Sequence, residues 1–334
     1  MKRGTGAFGA ILIFSLGILL FSYAGQGIPE SRQQAVAAWV LAKQVGEGHA
    51  VFVIPAPSLD PSPSPTPGKV PVTVVEEAWD ELEREETYLT SPVPVLKVPT
   101  GDYSMELRNE TEYSIDYASL PGLPTPEELT VLIVHTHGTE GYADSAAGNY
   151  RTLEEGKSVL AVGDKMAETL EGMGISVIHD RTLCDYPEYN GAYNRSRQVI
   201  ENQLYGDTGI FLVLDVHRDA VSDGKGGQKR MAATVSGQEV AQLMLVVGTD
   251  AGGLSHPEWR ENFSLGAVVH GILEENYPGL MRPLNLRTER FNQDLAPLSL
   301  LVEVGTSGNS LQEALGAGEL FAQALGQVLL GCQK

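Results

Sequence analysis

The 334-residue sequence is poor in cysteine and in positive charge. Its two cysteines, Cys184 and Cys332, lie far apart, which excludes the disulfide framework of a small secreted domain. Lysine and arginine number 23 against 43 aspartates and glutamates, so the formal net charge is −20. This balance argues against nucleic acid, or an anionic membrane surface, as the main partner. The apolar content of 42% is ordinary, and we expect the chain to bury a full core.

The chain has one long uncharged apolar run, residues 7–24, which follows the basic start MKRGTG. A membrane-spanning helix needs roughly 17–25 apolar residues, whereas the core of a signal peptide has about 7–15. Lys2 and Arg3 would stay on the cytoplasmic side, so everything after residue 25 is expected to lie outside the cell membrane. We therefore predict a single-pass membrane anchor in residues 1–27. Cleavage after SYA, as in a secretory signal, is the alternative.

Composition divides the rest of the chain into two regions. Residues 28–127 contain an amphipathic helical pattern, the string PAPSLDPSPSPTPG at 55–68 and an acidic variable stretch at 69–125. A segment so rich in proline and serine cannot form a core element and is typical of an extended linker. Residues 128–334 have a different pattern, and we interpret them as the catalytic domain.

In that domain short apolar runs alternate with helical segments. Strands are predicted at 130–135, 175–179, 209–217, 241–248 and 298–304, and helices near 155–172, 191–205, 257–277 and 310–331. Alternation of this kind predicts an α/β fold with a mostly parallel sheet and helices on both faces. The apolar runs are continuous, as expected of strands buried on both sides.

Two of the predicted helices have recognisable start signals. Ser255 with Glu258, and Ser310 with Glu313, have the spacing of a capping box. Both serines are therefore predicted to cap the helix that follows.

Ionisable side chains follow three of the predicted strands. The strings VLIVHTHGTEGY (131–142), LDVHRD (214–219) and LLVEVG (300–305) carry them. Ligands in open α/β sheets bind beyond the carboxyl ends of the strands, so we expect these residues to meet at one edge of the sheet. The candidates are His135, His137, Glu140, His217, Arg218 and Glu303.

Two histidines and a glutamate are a donor set that zinc uses in catalytic sites. His137 and His217 with either Glu140 or Glu155 would supply it, and the residues alone leave that choice open. His135 lies two positions before His137, so on a strand both side chains would point the same way. We expect three of these five residues to bind the metal.

Glu303 lies among aliphatic neighbours, where an unpaired carboxylate needs a partner or a raised pKa. A carboxylate of raised pKa suits general acid/base catalysis, and a salt bridge to an arginine between 282 and 290 is the alternative. Arg290 and Asn292, together with Arg218, are candidate substrate-binding residues. For Arg290 and Asn292 the alternative is that they only hold their own loop in place.

Several strings together resemble the stage II sporulation protein P family. They are VLIVHTHGTEGY, LDVHRDA, HPEWRENFSLG, YPGLMRPL and RFNQDLAPLSLLVEVGTSGNSLQEA, and they cover about residues 130–330 in order. The resemblance implies a zinc-dependent cell-wall hydrolase, similar to N-acetylmuramoyl-L-alanine amidases and also credited with cleaving peptide cross-links. It implies action on peptidoglycan during engulfment of the forespore, with stage II sporulation proteins D and M as partners.

The resemblance to the broader zinc amidases also implies roles for particular residues. His137 matches the first histidine ligand, His217 the second, Glu303 the catalytic acid/base and Asn309 the terminal asparagine of the last motif. HTHGTE stands where those amidases have PGHGG, so the glutamate ligand falls on Glu140 or Glu155.

The residues and the resemblance together imply a membrane-anchored amidase of the cell wall with Zn²⁺ as cofactor. The alternative from another class is a catalytically inactive wall-binding scaffold that recruits a partner hydrolase. A zinc peptidase acting on cross-links alone is a second enzymatic alternative.

Overall fold

The computed structural model describes residues 96–97, 105–144, 149–206, 209–222, 224–225 and 227–333. The predicted anchor at 1–27 and the predicted linker at 55–68 lie outside these residues. The fold below is that of the predicted catalytic domain and the short segment before it.

The described residues form a seven-stranded sheet, a two-stranded hairpin and four α-helices. The sheet strands are β1 (Leu107–Asn109), β2 (Thr130–Val134), β3 (Ser176–His179), β4 (Ile210–Asp219), β7 (Leu243–Gly248), β8 (Leu284–Arg287) and β9 (Leu298–Thr306). The hairpin is β5 (Ala232–Val235) and β6 (Gln238–Ala241). The helices are α1 (Val159–Gly172), α2 (Ala192–Tyr205), α3 (Trp259–Asn276) and α4 (Leu311–Cys332).

The sheet has the strand order β1-β8-β7-β9-β4-β2-β3 and is mostly parallel, as predicted. The strands β3, β2, β4 and β9 run in one direction, and β7, β8 and β1 run in the other. The two blocks meet where β7 pairs antiparallel with β9. Between β4 and β7 the chain forms the β5–β6 hairpin in place of a crossover helix. Because no helix returns the chain to the opposite edge, β7 runs against β4 and β9.

Helices cover both faces of the sheet, which confirms the predicted architecture. Alternate residues of β2, such as Val131 and Ile133, belong to one large core with α1, α3 and α4. The residues between them, Leu132 and Val134, pack on the other face with Ile200 of α2. Every residue of β2 is buried, and this explains its continuous apolar run.

Of the two predicted helix caps, one is confirmed and one is wrong. Ser310 and Glu313 form a complete capping box at the start of α4. By contrast, α3 begins only at Trp259, and Ser255 does not cap it. The residues before α3 form a turn instead, and the buried His256 ring there pairs with the side chain of Asn262 within the helix.

The helix α4 is long and apolar enough to span a membrane, but half of its most apolar stretch is buried inside the protein. Phe321, Leu325 and Leu329 are fully enclosed in the core. The apolar character of α4 is therefore that of a core helix packed on α1 and the sheet.

Candidate functional site

Three neighbouring parallel strands, β2, β4 and β9, bring the predicted site residues together. In the register of β4 and β9, His217 lies directly opposite Glu303. Paired residues of parallel strands project from the same face, so these two side chains are neighbours on the α2 side of the sheet. His137 and Glu140 reach the same place from the turn after β2, where the Glu140 amide donates to the His137 carbonyl (3.0 Å).

The two histidines and Glu140 form a compact, buried cluster. The ring centres of His137 and His217 are 5.3 Å apart, with the rings nearly perpendicular. The Nδ1 atom of His217 lies 3.6 Å from Oε2 of Glu140. All three residues are buried.

Glu140 is held in place by Arg218. Its Oε2 accepts a hydrogen bond from the Arg218 amide (3.1 Å), and its Oε1 lies 3.6 Å from the Arg218 guanidinium. Burial alone would raise the pKa of Glu140, but His217 and Arg218 outweigh burial and hold the pKa below its ordinary value. Glu140 is therefore an anion in the site.

The surroundings of His217 favour a positive charge. Burial alone would lower the pKa of His217, but the carboxylates of Asp215 and Glu140 outweigh burial and raise the pKa well above its ordinary value. The same negative potential would favour a bound cation, which replaces the proton of a histidine ligand when it binds.

Three polar atoms at this place are buried and have no hydrogen-bond partner. They are Nδ1 of His137, Nε2 of His217 and Oε2 of Glu303. Buried polar atoms are nearly always paired, so such a concentration is typical of a place that takes a ligand.

The donor set fits zinc, which binds imidazole nitrogen and carboxylate oxygen tetrahedrally. Two such donors of one ion lie about 3.4 Å apart, and the ring centres of two imidazole ligands about 5 Å apart. The observed separations of 3.6 Å and 5.3 Å are close to these values. No three His, Cys, Asp or Glu side chains in the described part of the chain already surround a common point, so binding would require small side-chain rotations.

Glu303 is the acid/base candidate, and its environment matches the expectation of a perturbed carboxyl group. Burial raises its pKa to about 8, the charges of Glu140 and Asp219 add to this effect, and His217 and Arg218 offset part of it. The residue keeps part of its surface exposed while Oε2 is buried. Glu303 therefore reaches the surface of the site and can hold a proton near neutral pH.

The structure does not bring His135 or Glu155 into this cluster. The expectation that His135 and His137 point the same way is wrong, because β2 ends at Val134 and the chain turns after His135. The Nδ1 atom of His135 contacts the Val216 carbonyl (2.9 Å) and its Nε2 contacts Nε2 of His179 (2.8 Å). Glu155 lies in an exposed 3₁₀ turn, Glu155–Lys157, and pairs with Arg181 (2.8 Å).

The three candidate substrate-binding residues make contacts within the protein. Arg290 donates to the Ser255 carbonyl (3.2 Å) and pairs with Asp294 (3.0 Å). Asn292 donates to the Tyr193 carbonyl (2.8 Å).

Arg218, the third candidate, is buried and donates to the carbonyls of Gly141 (2.9 Å) and Tyr150 (2.7 Å). Asn309 is also fully buried, and its side-chain oxygen accepts from the amide of Thr306 (2.9 Å) at the end of β9. In these positions the side chains fasten the loops around the site.

Sequence reasoning missed two residues that touch the histidines. Asp185 is buried, lies 3.9 Å from Nδ1 of His137 and accepts hydrogen bonds from the side chain and amide of Thr139. Tyr189 stacks flat on the His137 ring, with ring centres 4.6 Å apart and planes 9° apart. Both lie in a loop about fifty positions after His137, and no local pattern marks them.

Tyr189 also lines a cavity of about 240 Å³ that opens beside the cluster. The cavity is bounded by the His137 ring and by residues 189–194 at the start of α2. It offers space for part of a ligand next to the histidines.

Comparison with known proteins identifies the family. The model of the family "Stage II sporulation protein P" matches residues 83–326 of this chain. The curated stage II sporulation protein P of Bacillus subtilis (strain 168) is 26% identical over 228 residues, which cover 64% of this chain and 54% of that protein. The match thus spans about half the length of this relative.

Two solved amidase structures are also similar to the chain. The N-acetylmuramoyl-L-alanine amidase AmiC2 of Nostoc punctiforme is 19% identical, with a TM-score of 0.34, and the match covers 62% of this chain and 97% of that one. The CwlD amidase from Clostridioides difficile, solved in complex with the GerS lipoprotein, is 15% identical with a TM-score of 0.34, covering 61% and 98%. Scores this low carry no argument about activity.

The fold is thus an α/β domain with a histidine–glutamate cluster beside its central parallel strands. With its family model matched over most of its length, the chain belongs to the stage II sporulation protein P family.

Proposed function

We propose that the chain is a zinc-dependent peptidoglycan hydrolase of sporulation that cleaves the amide between N-acetylmuramic acid and L-alanine. One observation carries the proposal: His137, Glu140 and His217 meet beside an acidic side chain of raised pKa, Glu303. A cluster of this composition suits hydrolysis of an amide, and membership of the family supports the cell wall as the place of action.

In this proposal His137, His217 and Glu140 hold the ion. A bound zinc would polarise the scissile carbonyl and make a water molecule more acidic than in bulk solvent. Glu140 remains anionic because His217 and Arg218 hold its pKa low, so it is ready to bind a cation.

Glu303 moves the proton in this proposal. Its carboxylate accepts a proton from the attacking water and returns it to the nitrogen of the leaving L-alanine. The products are the free carboxyl group of the muramic acid and the free amine of the peptide. Proton transfer of this kind is most efficient when the pKa lies near the operating pH.

The membrane anchor and the partners are parts of the same proposal. Residues 1–27 would hold the chain in the cell membrane with the catalytic domain outside, and the Pro/Ser-rich segment would let it reach the wall. Stage II sporulation proteins D and M are the partners that the family resemblance implies.

The test uses the full chain, purified in mild detergent, on dye-labelled peptidoglycan. We expect dye release that a chelator abolishes and that Glu303→Gln and His217→Ala each lower by at least about 100-fold. Glu155→Gln is the matched control, because it removes an exposed carboxylate that pairs with Arg181, and its rate should equal that of the unchanged chain.

Mass spectrometry of the released fragments identifies the bond that is cut. New amino groups on L-alanine, with intact cross-links, would support the amidase, and new amino groups only at cross-links would support a peptidase. Release that is insensitive to the chelator and to both variants would contradict the proposal. No release at all would favour the scaffold.

A further inference from the structure

His217, one of the proposed metal ligands, has a buried contact with Asp215, a residue that is not among those ligands. Asp215 lies two positions before His217 on β4, so both side chains are on the same face of the strand. Its Oδ1 is 3.0 Å from Nε2 of His217, close enough for an ion pair, although the angle is not that of a hydrogen bond. Asp215 is 4% exposed.

Asp215 is itself fixed from two directions. Its Oδ1 accepts a hydrogen bond from the Thr136 amide (2.9 Å), and its Oδ2 accepts one from the Thr136 hydroxyl (2.6 Å). The Thr136 hydroxyl is also 2.8 Å from the hydroxyl of Ser196, which lies on α2. This network leaves the Asp215 carboxylate little freedom to turn. The carboxylate therefore stays beside Nε2 of His217.

The other nitrogen of the ring faces the cluster. Nδ1 of His217 lies 3.6 Å from Glu140, whose charge also acts on Glu303. Two donors of one tetrahedral ion lie about 3.4 Å apart, so the 3.0 Å contact with Asp215 is too short for a pair of ligands, whereas the contact with Glu140 fits.

We infer that Asp215 is a positioning residue: after the small ring rotation that binding requires, it accepts a hydrogen bond from Nε2–H of His217, so that Nδ1 is the nitrogen that binds the ion. Histidine ligands generally donate their second ring N–H to a carboxylate or carbonyl, and this partner fixes the tautomer. The inference rests on the proposed function, because it requires a cation bound between His217 and Glu140.

The experiment measures metal binding and does not depend on hydrolysis. Zinc affinity of the full chain is measured by competition with a chromophoric chelator for the unchanged protein and for Asp215→Asn, which keeps the size of the side chain and removes its charge. We expect the affinity to fall about 10–100-fold. Asp164→Asn is the matched control, since Asp164 contacts a histidine, His179, at a similar distance (3.1 Å) but at an exposed place outside the cluster, and the zinc affinity should not change.

A second measurement identifies the bound nitrogen in the unchanged protein. Nitrogen NMR of the zinc-loaded chain, labelled in histidine and assigned with His217→Gln, should show Nδ1 bound and Nε2 protonated. Thr136→Val, which removes the hydroxyl that holds Asp215, should weaken zinc binding less than Asp215→Asn does. Because it leaves the carboxylate in place, it provides a second test if Asp215→Asn does not fold.

The outcomes separate this inference from the proposed function. Zinc binding through Nε2, or unchanged affinity in a folded Asp215→Asn, would overturn the inference and leave the hydrolase proposal standing. The expected binding without any hydrolysis would overturn the hydrolase proposal alone. An unchanged chain that binds no zinc would overturn both.

Discussion

Replacing Glu303 by glutamine should stabilise the metal-free protein at alkaline pH. The pKa of Glu303 is about 8 in the folded protein, against its ordinary value of 4.5, chiefly because the group is buried. A group whose pKa is raised by folding contributes its stability below the unfolded pKa and loses it as the pH rises through the folded pKa. The native chain should therefore lose stability between about pH 4.5 and pH 8, while glutamine carries no such dependence.

The size of the effect follows from the shift. At about 1.4 kcal/mol per pKa unit, the raised pKa corresponds to a penalty of about 5 kcal/mol once the carboxylate is fully charged. Between pH 5 and pH 9 the free energy of unfolding should change by roughly 4 kcal/mol relative to the variant, and by less where water or Arg218 relaxes around the charge.

The assay is urea unfolding, followed by circular dichroism, at pH 5, 7 and 9 in the presence of a chelator. Titrating groups that do not interact with Glu303 cancel in the difference between the unchanged chain and Glu303→Gln. A difference for Glu303→Gln that stays constant across the three pH values would refute the raised pKa and the acid/base role derived from it.

Three further substitutions test the packing that supports the site. Gly163→Ala should destabilise the protein by about 1–3 kcal/mol in urea, because a Cβ there would lie 2.6 Å from Nε2 of His179 and 2.7 Å from Nε2 of His135. Ser310→Ala should lose about 1 kcal/mol by breaking the capping box of α4, and an unchanged midpoint would show that the cap is not needed. Phe321→Ala should lose about 3–5 kcal/mol, since its ring is fully buried in the main core; a loss below 1 kcal/mol would contradict its placement.

The long strands were predictable from sequence because strands buried on both faces consist almost entirely of apolar residues. β4 and β9 are buried along almost their whole length, so each is a mostly apolar run, with ionisable residues from Asp215 onward in β4 and Glu303 alone in β9. By contrast, β1 and β8 have three and four residues and pair mainly with each other and with β7. Elements this short depend on tertiary contacts, and their own residues do not specify a strand.

The direction of His135 could not be read from spacing, because it depends on where a single strand ends. Had β2 continued for three more residues, His135 and His137 would have shared a face. Since β2 ends at Val134, His135 stays on the face covered by α1 and pairs with His179, while His137 crosses to the face of His217. The position of the strand end, to within one or two residues, thus decides whether a histidine is a buried structural residue or a candidate ligand.

The sequence left Glu140 and Glu155 as alternative metal ligands, whereas the structure places only Glu140 beside the histidines. The loop after β2 folds back on itself, with the Gly141 amide bonded to the Tyr150 carbonyl and a bridge between Glu140 and Arg151. This return fixes Glu140 under the Arg218 amide and carries Glu155 outward to the surface. Glu140 and Arg218 are 78 positions apart, so no local pattern contains the choice between the two carboxylates. Because Arg218 follows His217 directly, the strand that supplies the second histidine also holds Glu140 in place.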